Sequence, residues 1–388
     1  MGTAVVVEAI RTPVGRGKAG GGLSGVHPAD LLAGQLVALV ERAGIDPALV
    51  EDVIVGCAQQ VGEQAGNIGR NAVLGAGFPE SVPSTTLNRQ CGSSQQAAAF
   101  AAQAVMAGVH DVVIAAGVES MSAVPIGSAR AGAGARHAAR YPDGLVNQGI
   151  SAELVAQRWK LDRDELDAYS AESHRRAAAT WAEGGFDAEV VAVPEAPDLV
   201  TDETVRGTTT AEGLAGLRPS FRTDGALARF PDVDWKITPG NSSPLTDGAS
   251  AVLVMSERRA VELGLRPRAR FHAFSVVGDD PLMMLTGPIP ATHAVLARSG
   301  LGIGDIDAYE VNEAFAPVPL AWAREFGADP ARLNPRGGAI ALGHALGSSG
   351  TRLLVTMLHH LEATGGRYGL QAMCEAGGMA NATIIERL

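Results

Sequence analysis

Three residues in this chain combine a reactive side chain with an unusual setting: Cys91, His344 and Cys374. Cys91 lies in Asn88-Arg89-Gln90-Cys91-Gly92-Ser93-Ser94-Gln95-Gln96, directly ahead of residues 97–106, a run apolar on nearly every side. A helix apolar all round is one buried inside a large protein. Gly108 follows the run as a left-handed C-terminal cap would. The cysteine is therefore expected at the start of a buried helix, where unpaired N–H groups and the helix dipole favour the nucleophilic thiolate. Cysteine is also a common small core residue, so the rest of the chain has to decide between chemistry and packing.

His344 stands inside Gly337-Gly338-Ala339-Ile340-Ala341-Leu342-Gly343-His344-Ala345-Leu346-Gly347, and glycines there let the backbone approach a ligand closely. An imidazole in such a turn is a candidate base for a cysteine. His110, His174, His359 and His360 fall on polar or helical stretches and read as solvated or core side chains. Met373-Cys374-Glu375-Ala376-Gly377-Gly378 is a strand end running into a glycine turn, an odd place for a thiol needed only for packing. Asn312-Glu313-Ala314-Phe315 falls where a strand gives way to a helix, at the edge of a parallel sheet where ligands bind. An ordinary N-cap for Asn312 is an equal reading. Cys57 reads as packed in a strand, with no His or second Cys patterned near it.

With 388 residues, 46% of them hydrophobic, the chain can bury a large core and is long enough for two or three domains. A net charge of −11 without any block of Lys or Arg argues against nucleic acid or an anionic membrane as a partner, so an anionic ligand must be met by local donors. Three cysteines cannot form a disulfide framework, and they lack the paired spacing of a zinc site; no metal is expected, and the chain reads as reduced and cytoplasmic. No apolar run reaches the length needed to span a bilayer.

The elements that must position these residues alternate. Residues 2–7 read as a strand, 28–43 as a one-faced amphipathic helix, 50–57 as a strand, 66–77 as a helix, 85–88 as a strand and 111–116 as a fully buried strand. From 122 to 147 the apolar period disappears, as in a functional surface excursion. Residues 151–184 are helical and 194–235 irregular; a turn-rich run over 238–248 leads into a buried helix or strand at 249–255. A second alternation follows: strand 270–276, helix 291–299, strand 307–311, a helix from Glu313, helix 351–361, and strands 370–374 and 382–386. The pattern is α/β, and a duplicated unit is plausible.

Taken together and in order, these motifs resemble the thiolase family over essentially the whole chain. The residues that carry the resemblance are Asn88-Arg89-Gln90-Cys91-Gly92-Ser93, Gly240-Asn241-Ser242-Ser243 with Asp247-Gly248-Ala249, Asn312-Glu313-Ala314-Phe315, Gly338-Ala339-Ile340-Ala341-Leu342-Gly343-His344, and Cys374. The resemblance implies two similar α/β halves, residues 1–258 and 265–388, whose mixed sheets pack around buried helices. An inserted loop region at about 120–244 would bind coenzyme A, and the chain would assemble as a homodimer or homotetramer. It also implies that His344 deprotonates Cys91, that Cys91 carries the acyl group, and that Cys374 protonates the departing acetyl-CoA enolate. One oxyanion would be held by His344 and an Asn312-bound water, the other by the N–H groups of Cys91 and Ala376. Coenzyme A would contact Phe221, Ser243, Leu245 and Phe315, with Arg206 near the nucleotide phosphates. Acyl-CoA and CoA are then the partners, with no permanently bound cofactor.

Two departures stand out. Ala345 replaces the proline usual after the histidine, and Glu375-Ala376 interrupts the usual run of glycines after the second cysteine; an alanine there is strained if the turn needs a positive φ. Asn147 and Gln148 occupy the place of a His-Met pair that presses on the acyl pocket of short-chain biosynthetic members. That substitution, with a weaker likeness to thiolases that degrade steroid-ring-derived acyl-CoAs, favours a degradative 3-ketoacyl-CoA thiolase over a biosynthetic acetoacetyl-CoA thiolase. A decarboxylating carrier-protein synthase would need a second histidine where Cys374 stands. A non-catalytic lipid-carrying scaffold would be expected to lack Cys91 or His344.

Overall fold

Strand β1 (Ala4–Arg11) is buried along nearly its whole length and lies where two halves of the molecule meet. The computed structural model describes residues 2–130, 132 and 134–388. Its remaining strands are β2 (Gly15–Arg16), β3 (Asp52–Gly56), β4 (Ser84–Leu87), β5 (Val112–Ser120), β6 (Thr246–Ser256), β7 (Ala269–Gly278), β8 (Ala308–Val311), β9 (Tyr368–Glu375) and β10 (Met379–Arg387). They follow the path β4-β3-β5-β6-β1-β7-β10-β9-β8, with β2 on β6.

The joint between β1 and β7 is narrow, made by Val5 with Arg270 and Val6 with Ala269. Outward from it, β1-β6 and β6-β5 are antiparallel, while β5-β3 and β3-β4 are parallel. The other half repeats this order: β7-β10 and β10-β9 antiparallel, β9-β8 parallel, then a single parallel bridge from Tyr309 to Leu333. The duplication invisible at residue level is therefore plain in the topology. β5, the strand read as a continuous apolar run, is buried at every residue, whereas the edge strand β4 is only partly buried.

Two helices form the middle layer, Ser93–Met106 and Leu346–Thr364, and they pack on each other and on strands of both halves. Leu353, Leu354, Val355, Leu358 and Leu361 of the second are at most 1% exposed. At about 1.5–3 kcal/mol each, their burial rivals the net stability of a whole domain, so this helix is fixed between the halves. The first turns of the two helices cross closely: a Cβ on Gly350 would overlap the backbone of Gln95, and one on Gly117 would overlap Gly347 O. Ser94 Oγ accepts the Thr351 N–H at 2.9 Å, and Gln95 Nε2 donates to Thr383 Oγ1 at 3.1 Å. The polar start of the first helix is thereby tied to the second half.

Some elements differ from the sequence expectation. The buried helix begins at Ser93, with Gly92 as N-cap, not at Cys91. Residues 249–255, left open between helix and strand, lie within strand β6. The helix expected from Glu313 starts only at Pro317, because Glu313 is a clamp: its carboxylate accepts from Tyr169 Oη (2.8 Å), Ser173 Oγ (2.7 Å), Asn334 Nδ2 (2.8 Å) and Ile340 N–H (3.0 Å). The last long helix begins five residues before the expected 351, at Leu346.

Between β5 and β6 the chain makes its long excursion. This carries helices Ala135–Arg140, Gln148–Arg158, Arg163–Ala182, Ala211–Ala215 and Asp224–Arg229, so neither 122–147 nor 194–235 is wholly irregular. It is pinned to the body by Arg11, fully buried, whose guanidinium meets Glu189 and Asp202 at 2.7 Å each. No helix among the described residues is long and apolar enough to cross a membrane.

Candidate active site

The turn before the first middle helix is closed by its own polar side chains. Asn88 Nδ2 donates to Ala58 O at 2.9 Å, while its Oδ1 accepts the Gln90 N–H at 2.7 Å and Gln90 is held at φ 51°. Ser93 Oγ accepts from Arg89 N–H at 3.0 Å and donates to Gln90 O at 2.6 Å. Cys91 is left with no such structural task. It is 3% exposed and packs among Ala58, Met121, Leu346 and Met373, which places it beside both the histidine turn and the strand of the second cysteine.

His344 is set by its backbone, whose N–H donates to Pro244 O at 3.2 Å, and by its ring. Nδ1 lies 2.7 Å from Ser349 Oγ, and that hydroxyl donates to Ala345 O at 2.8 Å. A hydroxyl has one hydrogen, so Nδ1 must be the donor and Nε2 keeps its lone pair. Nε2 faces Asn312 Nδ2 at 3.4 Å. Burial, reinforced by the nearby Arg352 cation, pushes the imidazole down to about 3, so it is neutral at rest. A neutral imidazole whose lone pair is on Nε2, engaged only by the long Asn312 contact, is the form that accepts a proton.

Glu119 anchors the histidine turn to the Cys91 half. Its carboxylate accepts from Ala58 N–H (2.8 Å), Gln59 N–H (3.0 Å), Gln64 Nε2 (2.8 Å) and Gly347 N–H (2.8 Å). The last of these puts a carboxyl group at the N-terminus of the Leu346–Thr364 helix, where the dipole favours negative charge.

Burial, then the Glu375 carboxyl, push the Cys91 thiol up to about 12, with the Gln148 amide acting in the opposite direction. This corrects the expectation of a thiolate at the helix start. A helix terminus is worth about 0.3–1 kcal/mol to a charge, less than one pKa unit, whereas burial shifts a group by up to about 3–5 units. Cys91 and His344 therefore rest as thiol and neutral imidazole, and the thiolate forms only as its proton is taken. Cys374, 1% exposed, is held well above the ordinary thiol range by burial, then by Cys91 and Glu375. The two thiols are thus close enough to feel each other's charge. Asn312 joins the same strand end through its N–H, which donates to Ala372 O at 3.0 Å. Ala376 is not at positive φ; Gly377 (88°) and Gly378 (74°) take that conformation, so the feared strain at the alanine does not arise.

Four of the five residues expected to contact coenzyme A form a continuous group. Phe221 and Phe315 meet edge to face with centroids 6.0 Å apart. Ser243 donates to Ala314 O from N–H (3.1 Å) and Oγ (3.0 Å), and Leu245 is bridged to His344 while its side chain stays exposed. Arg206 has its own anchor: its N–H donates to His174 Nδ1 at 3.2 Å, and no hydrogen bond ties it to the other four among the described residues. Sequence reasoning missed Ser349, Glu119 and Arg352. An acid inside the apolar run 112–120 was a signal for Glu119; Ser349 and Arg352 gave none beyond their place on the His344 helix.

Two buried thiols with a neutral imidazole poised as base define a cysteine acyl-transfer centre. Family models agree with this chemistry: Thiolase, N-terminal domain, matches residues 4–258, and Thiolase, C-terminal domain, matches residues 265–387. The chain belongs to the thiolase family. It is 49% identical over 400 residues to the steroid 3-ketoacyl-CoA thiolase FadA6 of Mycobacterium tuberculosis, covering 100% of this chain and 95% of that protein. It is 42% identical over 413 residues to the beta-ketoadipyl-CoA thiolase of Escherichia coli, with both chains fully covered. The crystal structure of the Bacillus anthracis acetyl-CoA acetyltransferase superposes with a TM-score of 0.89 at 36% identity, covering 100% of this chain and 99% of that one.

Proposed function

We propose that this chain is a degradative 3-ketoacyl-CoA thiolase. The observation that carries the reading is the His344 tautomer: Nδ1 is committed to Ser349, so the lone pair is on Nε2, which exchanges the long Asn312 contact for the Cys91 proton. The thiolate attacks the 3-keto carbon, the C2–C3 bond breaks, and the acyl group stays on Cys91. Cys374 protonates the acetyl-CoA enolate. The thiol of a second coenzyme A then returns a proton to the enzyme as its sulfur takes the acyl group, so the cycle closes without a metal or prosthetic group. His344 and a water on Asn312 would hold the thioester oxyanion, which gives Asn312 Oδ1, without a hydrogen-bond partner among the described residues, an occupation. The N–H groups of Cys91 and Ala376 would hold the other. Phe221, Ser243, Leu245 and Phe315 form the coenzyme A face, with Arg206 reaching the phosphates from a separate anchor. The working protein is a cytoplasmic homodimer or homotetramer.

The degradative direction is supported by the names of the relatives, several of which are 3-ketoacyl-CoA thiolases at about 41% identity. The test is a thiolysis assay following loss of 3-ketoacyl-CoA, with mass spectrometry of the trapped intermediate. An acyl adduct on Cys91 is expected, and Cys374→Ala is expected to keep acyl transfer from a simple acyl-CoA while losing carbon–carbon cleavage. An adduct on Cys374, or equal loss of both half-reactions, would reverse the roles.

A further inference from the structure

Glu375 follows Cys374 directly and is fully buried, with neither carboxyl oxygen hydrogen-bonded among the described residues. Its side chain crosses from the end of β9 to the Cys91 turn. A Cβ on Gly92 would overlap Glu375 Oε1 and stand 2.7 Å from its Cδ, so the carboxyl group lies on the residue after the nucleophile. A buried, unpaired polar group is a liability that packing alone does not explain. The titratable and charged groups facing it are Arg89 and Cys91 from the turn and Cys374 from its own strand. Asp279 and Asp280, on the loop against Gly378, engage Thr286 Oγ1 (2.6 Å) and Leu282 N–H (2.8 Å) instead.

We propose that Glu375 is a positioning residue that decides which sulfur anions the pocket can form: protonated, it admits negative charge on Cys91 and then Cys374, and ionised, it opposes both. The inference rests on the thiolase reading above. During turnover Glu375 keeps its own proton. The Cys374 S–H bond breaks as the C2–H bond of acetyl-CoA forms, and the coenzyme A thiol restores that proton. What Glu375 controls is whether a second negative charge already occupies the cavity. Burial raises its carboxyl to about 8, opposed only by Arg89, so the change of state falls inside the working range. Like charges sharing a buried site disfavour one another strongly.

The experiment compares the full-length protein with Glu375→Gln, measuring thiolysis and the rate of Cys91 alkylation by iodoacetamide against pH. The unmodified protein should show an alkaline limb in both. Glu375→Gln should move that limb upward by about one pH unit or more, so that at alkaline pH it is at least about tenfold faster than the parent, while near pH 6.5 the two agree within about threefold. Arg89→Gln provides a second variant should Glu375→Gln not fold: with the cation gone, Glu375 ionises later and the limb again moves up. A limb that stays in place in either folded variant overturns the proposal. Absence of thiolysis in the unmodified protein would refute the functional reading instead, and the alkylation profile would still decide Glu375.

Discussion

His344 Nδ1 and Ser349 Oγ stand 2.7 Å apart, and the Ser349 hydrogen is already given to Ala345 O. Ser349, on the Leu346–Thr364 helix, thus selects the tautomer of the His344 imidazole. Ser349→Ala removes that selection without changing volume much. It is expected to lower kcat about 10–100-fold and to leave the KM for coenzyme A within about threefold. Unchanged kcat would mean the ring is oriented by Asn312 alone.

His344 also writes itself into the pH dependence of stability. Its folded value is pushed down to about 3, below the ordinary 6.5 of an unfolded imidazole. Between those limits the unfolded state binds a proton that the folded state does not, so stability rises with pH there and is lost as pH falls. At pH 4.5 the loss is about 2–3 kcal/mol relative to pH 7. His344→Gln, though inactive, should lose less stability than the parent by that amount. Urea unfolding at the two pH values measures it, and identical acid sensitivity would show that the folded imidazole protonates freely.

The site was legible in the sequence wherever a reactive side chain stood in a local pattern. Cys91 before an all-apolar helix, His344 in its glycine turn and Cys374 at a strand end each follow from neighbours within a few residues, and so do strands buried on both faces. What was not legible depends on contacts made hundreds of residues apart. Glu119 reaches Gly347, and Glu375 reaches Gly92 across the two halves. The resting charge state was misjudged for the same reason: the helix terminus is local and visible, whereas burial of Cys91 is made by Met121, Leu346 and Met373. Glu313 shows the converse, a local strand-to-helix signal displaced to Pro317 by four partners elsewhere.

The alanine after His344 leaves a small gap. Thr12, Val14, Gly248, Ala345, Ser349 and Arg352 are among the residues lining a cavity of about 10 Å³, about enough for one water. Ala345 has φ −73°, and its N–H has no acceptor among the described residues, so proline fits the backbone and removes no hydrogen bond. Ala345→Pro is expected to stabilise the protein by about 0.4–1 kcal/mol through the unfolded state, read as a higher urea midpoint with kcat within about twofold. A destabilised variant would indicate that the gap holds a water needed by Arg352, whose terminal nitrogens have no hydrogen-bond partner among the described residues.

Asn147 and Gln148 divide the work of the pair that presses on the acyl pocket in short-chain members. Asn147 is the N-cap of the Gln148–Arg158 helix, its side chain accepting the Gly149 N–H at 2.9 Å. Gln148 acts instead on the Cys91 thiol, where its amide opposes the upward push of burial. A polar amide thus replaces a bulky thioether beside the nucleophile. The wall is changed in shape and polarity rather than closed, so the acyl preference should be graded. One methylene of fit is worth about 1–3 kcal/mol, or about 10–200-fold in kcat/KM. Across a chain-length series the unmodified enzyme is expected to peak at medium-length or branched 3-ketoacyl-CoAs. Gln148→Met should move the ratio about tenfold toward acetoacetyl-CoA and raise the Cys91 thiol further by removing that amide. A maximum at acetoacetyl-CoA in the unmodified enzyme would instead favour a biosynthetic thiolase, and a flat response to Gln148→Met would place the acyl chain on another wall.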